Sequence, residues 1–317
     1  MIHTASYRPP FPFRFGHLST IFPALFRQVD CSFERERLEL EDGDFIDLDW
    51  SKVGSSRTIL LLHGLEGSSD SRYIKGMARA FNRAGWDAVA LNFRGCSGEI
   101  NRKLIGYHMG ATADVHAVIQ HLFTHYNYDR LVLCGFSLGG NVTLKYLGEQ
   151  GKNIHPEITH GLAFSVPVDI PNANIELAKW HNRIYIKRFL RSLNEKLKFK
   201  MKTYPGQIAW TKQRLPRSFQ EFDGCYTAPV HGFGTAENYW EVNSSKHFIN
   251  DIRIPTLLVN AKDDSFLGDS CYPYDIADDH EFFHLTTPKY GGHVGFIQFN
   301  ENGLYWSEEQ ALTFVNS

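Results

Sequence analysis

The chain has 317 residues, of which 43% are apolar and 21% are charged. This composition supplies enough apolar material for a sizeable core and excludes a globally disordered chain. The 33 Lys and Arg residues are balanced by 35 Asp and Glu residues, for a formal net charge of −2. Such a balance argues against a protein that coats nucleic acid. No run approaches the ~20 apolar residues of a membrane-spanning helix.

The N-terminal sequence and the cysteines both bear on the cellular compartment. The first ten residues contain no positively charged segment followed by an apolar stretch, so they do not predict a secretory signal. The five cysteines are odd in number and scattered without a CxxC pair, a pattern typical of reduced, packed thiols. We therefore expect a cytoplasmic protein.

Residues 1–57 are expected to form an N-terminal arm and a β-hairpin. The first thirty residues are rich in Pro, Phe and Arg, and favour a surface-hugging arm over a helix or strand. Between Arg37 and Trp50, two alternating runs flank an acidic turn that contains Asp42-Gly43. This arrangement predicts an antiparallel hairpin.

Apolar runs and glycine-marked turns then alternate with helical spacing. Buried strands are predicted at Thr58–Leu62, Trp86–Phe93 and Arg130–Cys134, and helices over Ser71–Arg83, Ala111–His125 and about Asn141–Leu147. The alternation predicts right-handed βαβ units and a parallel sheet.

The alternation breaks between residues 170 and 246, where no buried strand is predicted. Strands resume at Pro255–Asn260 and Phe282–Leu285, and a final helix is predicted over Ser307–Phe314. We therefore predict a core of residues 58–169 and 247–317, interrupted by a helical cap or lid at 170–246.

The helical part of this insertion is strongly basic. Its cations are Lys179, Arg183, Lys187, Arg188, Arg191, Lys196, Lys198, Lys200 and Lys202. A solvated helical face is the usual meaning of such charge, and binding to a phosphate backbone is a weaker alternative. A third interpretation is peripheral contact with anionic lipid head groups, while the apolar residues between the cations cover a pocket.

The segment Gly135-Phe136-Ser137-Leu138-Gly139 matches the pattern G-x-S-x-G. The pattern is weak alone, but here a predicted buried strand leads into it and a predicted helix leads out of it. Small glycines on either side of Ser137 permit a strained turn that lifts the hydroxyl above the edge of the sheet. Ser137 is therefore the candidate nucleophile, and the alternative is a glycine-lined turn with a bystander serine.

A serine hydroxyl needs a base to remove its proton, and the base needs an orienting carboxylate. With this kind of turn the chain order is Ser, then Asp or Glu, then His. Asp263 and Asp264 follow one predicted strand, and His293 follows paired glycines after the last one. Because the carboxyl ends of parallel strands share one edge, Ser137, Asp264 and His293 are expected to meet there. Asp263 is expected to make a turn or N-cap hydrogen bond, unless both acids only solvate a loop.

The loop His63-Gly64-Leu65-Glu66-Gly67 follows the first buried strand. The backbone N–H groups of Leu65 and Leu138 are the candidate oxyanion donors, because such enzymes use the residue after the nucleophile and a loop after an earlier strand. Each donor is worth on the order of 3–4 kcal/mol of transition-state stabilisation. His63 is expected to make structural hydrogen bonds.

Other classes of site lack a signal in the sequence. HExxH and paired CxxC spacings for zinc are absent, as is a Walker-type loop ending in Lys-Ser/Thr. The glycines near Ser137 do not form the G-x-G-x-x-G fingerprint of a dinucleotide site.

At this point the residues resemble the α/β-hydrolase superfamily over about residues 58–300, and more narrowly its YheT-like branch, which also includes ABHD-type lipases of eukaryotes. GHLSTIFP at 16–23 is similar to the branch signature His-Leu-Gln-Thr-Ile-x-Pro, with Ser19 in place of Gln. NFRGCSG at 92–98 is similar to its Asn-x-Arg-Gly-x-x-Gly loop. YWEVNSS at 239–245, with Ile-Pro-Thr at 254–256, is similar to the signature that leads to the acidic loop.

Two further departures from the branch concern Trp240, where the family usually shows Tyr, and Ser265, where it usually shows Pro. The resemblance implies an α/β-hydrolase fold, with a mostly parallel sheet flanked by helices and a helical cap insertion. It also implies carboxylic-ester hydrolysis by Ser137, His293 and Asp264 without a metal or organic cofactor. The expected partner is a small-molecule or lipid ester, not a nucleic acid.

Three functional hypotheses follow. The leading one is a serine esterase that works through an acyl-enzyme. An acyltransferase, a thioesterase or a lipid-directed lipase would use the same triad with a different acceptor or leaving group. A non-hydrolytic ligand-binding module that retains the triad is the alternative from another class.

Overall fold

A nine-stranded sheet forms the centre of the computed structural model, which describes residues 1–5, 7–210 and 214–317. Residue 6 of the predicted arm and residues 211–213 of the predicted cap lie outside the described residues. In chain order the strands are β1 (Ile2–His3), β2 (Glu34–Glu39), β3 (Phe45–Ser51), β4 (Arg57–Leu62), β5 (Asp87–Asn92), β6 (Arg130–Phe136), β7 (Ile158–Phe164), β8 (Thr256–Val259) and β9 (Phe283–Thr286).

The strand order across the sheet is β1-β9-β8-β7-β6-β4-β5-β3-β2. Strand β3 is antiparallel to both β2 and β5, and the other neighbours are parallel. The predicted hairpin and the mostly parallel sheet are therefore confirmed. The carboxyl ends of β4, β6, β8 and β9 lie along one edge of the sheet.

Helices cover both faces of this sheet, and others lie in the segment between β7 and β8. In chain order they are α1 (Gly16–Phe26), α2 (Arg72–Arg83), α3 (Thr112–His125), α4 (Leu138–Gln150), α5 (Ile170–Leu177), α6 (Arg183–Thr203), α7 (Phe219–Phe222), α8 (Ala228–Val230), α9 (Ala236–Asn243), α10 (Tyr274–Asp279) and α11 (Trp306–Val315). A π-helical turn, Asp223–Thr227, joins α7 to α8.

The alternation of side chains along β4 divides the core into two layers. Ile59 and Leu61 pack with apolar residues of α2 and α11 on one face. Leu60 and Leu62 pack with residues of α3 and α4 on the other face. Because both faces of the strand are covered, its sequence is a continuous apolar run.

The expectation of an arm without regular structure over the first thirty residues is wrong. Strand β1 extends the sheet beside β9, and α1 is an eleven-residue helix despite Pro23 in its interior. Proline removes one helical hydrogen bond, but tertiary contacts hold the helix in place. A Cβ on Gly16 would lie 2.2 Å from the backbone oxygen of Asp263, so α1 packs directly on the acidic loop.

Between β7 and β8 the described residues form helices and loops with no strand. Helix α4 begins at Leu138, three residues before its predicted start, so it follows Ser137 directly. Within residues 1–5, 7–210 and 214–317, no helix combines the length and apolar character that crossing a bilayer requires.

Candidate active site

Ser137 lies in a strained turn between β6 and α4. Its backbone has φ 53° and ψ −118°, a conformation that costs a non-glycine residue of order 1–3 kcal/mol. The Ser137 N–H donates a hydrogen bond to the Phe164 carbonyl at the end of β7, with an N–O distance of 2.9 Å. The turn is therefore anchored to the neighbouring strand with its side chain at the carboxyl edge of the sheet.

The glycines of the G-x-S-x-G segment are required by close backbone contacts. A Cβ on Gly135 would lie 2.2 Å from the Gly139 carbonyl oxygen. A Cβ on Gly139 would lie 2.3 Å from the Leu62 oxygen at the end of β4. Since backbone atoms cannot swing aside as a flexible side chain can, only glycine fits at these two positions.

The structure brings Ser137, Asp264 and His293 together. The Nε2 atom of His293 lies 2.9 Å from the Ser137 hydroxyl, and its Nδ1 lies 2.8 Å from Oδ2 of Asp264. The side chain of Asp264 is fully buried, and that of His293 is 10% exposed. The Phe266 ring stacks on the imidazole at 4.2 Å between centroids. These contacts hold the imidazole between the hydroxyl and the carboxylate.

Asp263 contacts the loop at 291–295 that carries His293, here called the histidine loop. Its Oδ1 accepts a hydrogen bond from the Gly292 N–H at 2.8 Å. This partner belongs to a different loop, so the predicted local turn or N-cap hydrogen bond is wrong. Burial raises the pKa of Asp263 to about 6, the Gly292 N–H opposes that rise, and the Asp264 charge adds to it. The two adjacent acids thus bind two consecutive residues of one loop.

Helix α1 also holds the histidine loop, a contact that the sequence reasoning missed. The Thr20 hydroxyl accepts a hydrogen bond from the His293 N–H at 2.9 Å, and Ser19 donates one to the Gly291 carbonyl at 3.0 Å. Gly292 has φ 56°, and a Cβ there would lie 2.4 Å from the Gly16 oxygen. The segment GHLSTIFP at 16–23, which contains Ser19 and Thr20, was the sequence signal that could have indicated this contact. We used it only as evidence of family resemblance.

The loop after β4 places backbone donors beside Ser137. A Cβ on Gly64 would lie 3.1 Å from the Ser137 Cβ, so the two backbones are in close contact. Leu65 and Leu138 line the same cavity as Ser137. Neither of their N–H groups has a hydrogen-bond partner among the described residues. Two amides without a partner among the described residues therefore belong to residues that line this cavity.

His63 makes hydrogen bonds to the backbone, as predicted. It is fully buried, its Nε2 accepts a hydrogen bond from the Phe93 N–H at 3.2 Å, and its Nδ1 lies 2.7 Å from the Gly64 oxygen. Burial lowers its pKa to about 4, so the imidazole is neutral at pH 7. The ring therefore links the start of the loop that carries Leu65 to the chain just after β5.

A cavity that is partly open to solvent lies beside Ser137. Core and cap residues both line it, among them Leu65, Leu138, Leu193, Phe222, Tyr239 and Phe266. The insertion therefore forms one wall of the cavity, and the lining is mainly apolar.

The basic residues of α6 do not all face solvent. Lys196 Nζ lies 2.7 Å from Glu66 Oε1, and Lys200 is buried, with its ammonium donating to the Asn101 carbonyl at 2.7 Å. Burial lowers the pKa of Lys200 to about 8. The interpretation of the charge as a purely solvated face is therefore wrong for these two lysines, which attach α6 to the core.

Comparison with known proteins agrees with the fold. The family model of the α/β hydrolase fold matches residues 57–298. "Putative esterase YheT" of Escherichia coli (strain K12) is 34% identical over 301 residues, which cover 93% of this chain and 88% of that protein. Phospholipase ABHD3 of Mus musculus is 28% identical over 286 residues, which cover 87% of this chain and 69% of that protein.

Solved structures with lower identity share the fold. The Pyrococcus furiosus esterase Pf2001 superposes with a TM-score of 0.59 at 18% identity, over 90% of this chain and 92% of that one. The α/β hydrolase GrgF of Penicillium sp. sh18 gives a TM-score of 0.60 at 13% identity, over 90% and 98% of the two chains. With its parallel sheet, its strained serine turn and these relatives, the chain belongs to the α/β-hydrolase family and, within it, to the YheT-like branch.

Proposed function

We propose that this α/β hydrolase is a serine esterase that cleaves carboxylic esters. The observation that carries the proposal is the continuous hydrogen-bonded chain from the Ser137 hydroxyl through His293 to Asp264. In that chain His293 accepts the hydroxyl proton as Ser137 attacks the ester carbonyl. Asp264 holds the imidazole in the required tautomer and stabilises the imidazolium that forms.

The oxyanion of the tetrahedral intermediate would be bound by the N–H groups of Leu65 and Leu138. Both residues line the cavity with Ser137, and both amides lack another partner among the described residues. Together two such donors stabilise the transition state by roughly 6–8 kcal/mol. Collapse of the intermediate breaks the ester C–O bond, and His293 gives its proton to the leaving alcohol. In the second half of the reaction His293 removes a proton from water, which attacks the acyl-enzyme carbonyl. The intermediate then collapses, the acid leaves, and His293 returns the proton to the Ser137 oxygen.

A panel of p-nitrophenyl esters of increasing acyl length tests the proposal. We expect turnover by the native protein and loss of turnover by about 10⁴-fold or more in Ser137→Ala. Ser56→Ala removes an exposed serine hydroxyl that bonds Asp129 and serves as the matched control. Absence of turnover across the panel would contradict the proposal. Adding alcohols separates hydrolysis from acyl transfer, because a transferase would form the new ester in preference to the free acid.

A lipid ester is the second candidate substrate, and the surface of the cap favours it. Trp180 is 81% exposed, and Ile175 and Ile184 are each 64% exposed. Lys179 and Arg183 lie within this same segment, so apolar and cationic groups occur together as on interfacial helices. One of the relatives is named a phospholipase.

Binding to lipid vesicles tests this second candidate. We expect co-sedimentation with vesicles that contain anionic phosphatidylserine, and a loss of at least several-fold when Trp180→Ser and Ile184→Ser are combined. Val53→Ser replaces an exposed apolar residue outside the cap and is the control. Equal sedimentation of the cap variant and the control would rule out docking through this surface.

A further inference from the structure

Glu66 joins the loop of the candidate oxyanion hole to the cap. It follows Leu65 directly and has φ 53°, a left-handed conformation that is uncommon for a non-glycine residue. Its side chain is only 5% exposed. A buried carboxylate is costly unless it is paired and hydrogen-bonded, so its partners decide whether this loop conformation is stable.

The first partner belongs to the core. The Tyr107 hydroxyl accepts a hydrogen bond from the Glu66 N–H at 2.9 Å and donates one to Glu66 Oε1 at 2.6 Å. One hydroxyl thus closes a ring between the backbone and the side chain of the same residue. The Tyr107 ring is stacked on Phe93 at 5.5 Å between centroids. This ring of hydrogen bonds holds Glu66 in its left-handed conformation.

The other partners come from helix α6 of the cap. Lys196 Nζ donates to Oε1 at 2.7 Å, and the Ser192 hydroxyl donates to Oε2. Lys196 also contacts the Cys96 thiol, with 3.2 Å between Nζ and Sγ. Burial acts to lower the pKa of Lys196, but Cys96 and Glu66 raise it overall, so the ammonium is charged. Ser192 and Lys196, one turn apart on α6, therefore both bind the Glu66 carboxylate beside the loop that carries Leu65.

We propose that Glu66 is a positioning residue through which the docked cap helix sets the direction of the Leu65 N–H toward the oxyanion. The inference rests on the serine-esterase function proposed above. Hydrogen-bond strength falls steeply with distance and angle, and an oxyanion donor acts only when it is aimed at the developing charge. Release of Lys196 and Ser192 would leave the carboxylate underpartnered and let the Leu65 peptide turn away.

A role confined to cap attachment would give a different signature. If these contacts only held the cap in place, their loss would change the cavity wall and raise KM. A misaimed oxyanion donor leaves ground-state binding nearly intact and lowers kcat, because the interaction is realised in the transition state. Comparing the change in kcat with the change in KM therefore distinguishes a positioning role from a role in cap attachment.

The test measures kcat and KM for a p-nitrophenyl ester, together with inhibition by a trifluoromethyl ketone, which forms a tetrahedral oxyanion on the serine. For Glu66→Gln and Lys196→Met we expect kcat to fall about 10- to 100-fold, a partial loss of the 10²–10³ carried by one donor. We expect KM within about twofold of the native value, and ketone affinity to weaken in parallel with kcat. Lys196→Arg, which keeps charge and donors, should recover most of kcat.

Lys198→Met changes an exposed lysine on the same helix and is the control. Ser192→Ala, a smaller change, keeps the test valid if a larger one fails to fold, and should lower kcat several-fold. An unchanged kcat in folded Glu66→Gln, or a loss confined to KM, would overturn the positioning role while leaving the esterase proposal intact. An inactive native protein would remove both.

Discussion

Oδ1 of Asp263 accepts a hydrogen bond from the Gly292 N–H at 2.8 Å, while its neighbour Asp264 binds the ring of the next residue, His293, at the same distance. Two consecutive acids on one loop thus contact two consecutive residues on another. One contact involves the backbone and the other the imidazole. Substitution of Asp263 and substitution of Asp264 should therefore affect catalysis differently, although the two acids are adjacent in the sequence.

Asp264→Asn should therefore lower kcat far more than Asp263→Asn. An asparagine at 264 no longer stabilises the imidazolium and favours the wrong tautomer, a change that costs about 10⁴ in kcat in serine hydrolases with this triad. An asparagine at 263 still accepts from the Gly292 N–H through its carbonyl oxygen, so we expect a loss of less than about tenfold. Steady-state kinetics on one ester, with both variants checked for folding by circular dichroism, measures the difference. Equal losses in the two variants would contradict the assignment of Asp264.

Asp263 should also make the stability of the protein depend on pH. Burial raises its pKa from 3.8 to about 6, and Oδ2 has no hydrogen-bond partner among the described residues. Between those two values the folded protein holds a proton that the unfolded chain releases, so this group lowers stability as pH rises from about 4 to 6. Asp263→Asn removes the effect, so its stability relative to the native protein should increase over this window by about 1–2 kcal/mol after allowance for solvent screening.

Urea unfolding at pH 4.5 and pH 7 measures this change. The comparison of variant with native protein isolates Asp263 from other groups that titrate in the same range, such as Asp223, whose pKa burial raises to about 6. A stability difference that stays constant between the two pH values would show that Asp263 does not carry the effect.

Local signals were enough to predict most of the sheet and the candidate triad. Strand β4 is a run of apolar residues with a glycine turn after it, and Ser137 is surrounded by glycines that its strained turn requires. Asp264 and His293 follow strands in the expected order. In each case the information lies within about ten residues of the element or in the known topology of parallel sheets.

Features that depend on distant contacts were not predictable in the same way. Helix α1 contains Pro23 and lacks a side-chain N-cap, so its sequence favours an irregular arm, but its packing on the loops of Asp263 and Gly292 overrides that preference. The inward direction of Lys196 depends on a carboxylate 130 positions away. Charge pattern alone does not distinguish such a lysine from a solvated one.

The close approach of α4 to β4 predicts a sharp difference between two glycines. Gly139→Ala would place a Cβ 2.3 Å from the Leu62 oxygen, so we expect destabilisation of about 2–3 kcal/mol or failure to fold. A Cβ on Gly224, in the π-helical turn, would meet no atom within 4 Å among the described residues, and the backbone there has no positive φ. Gly224→Ala should be neutral or stabilising by up to about 1 kcal/mol. Thermal or urea unfolding of both variants measures this, and equal effects would contradict the packing described.

Thr20 should influence catalysis from the N-terminal helix. Its hydroxyl accepts the His293 N–H and donates to the Gly16 carbonyl at 2.7 Å. Thr20→Val keeps the shape but leaves the His293 amide unpartnered, at a cost of about 1–3 kcal/mol. We expect a loss of stability in that range and a roughly tenfold lower kcat/KM. Thr20→Ser retains the hydroxyl and should behave like the native protein, so a similar loss in both variants would exclude the hydrogen bond as the cause.

Labelling by a fluorophosphonate under native conditions tests the central claim most directly, because this reagent reacts with an activated serine hydroxyl. Mass spectrometry of the digested protein should find the adduct on Ser137, and Ser137→Ala should remain unlabelled while Ser56→Ala labels at the native rate. A native protein that stays unlabelled, or one that carries the adduct on another residue, would contradict the account.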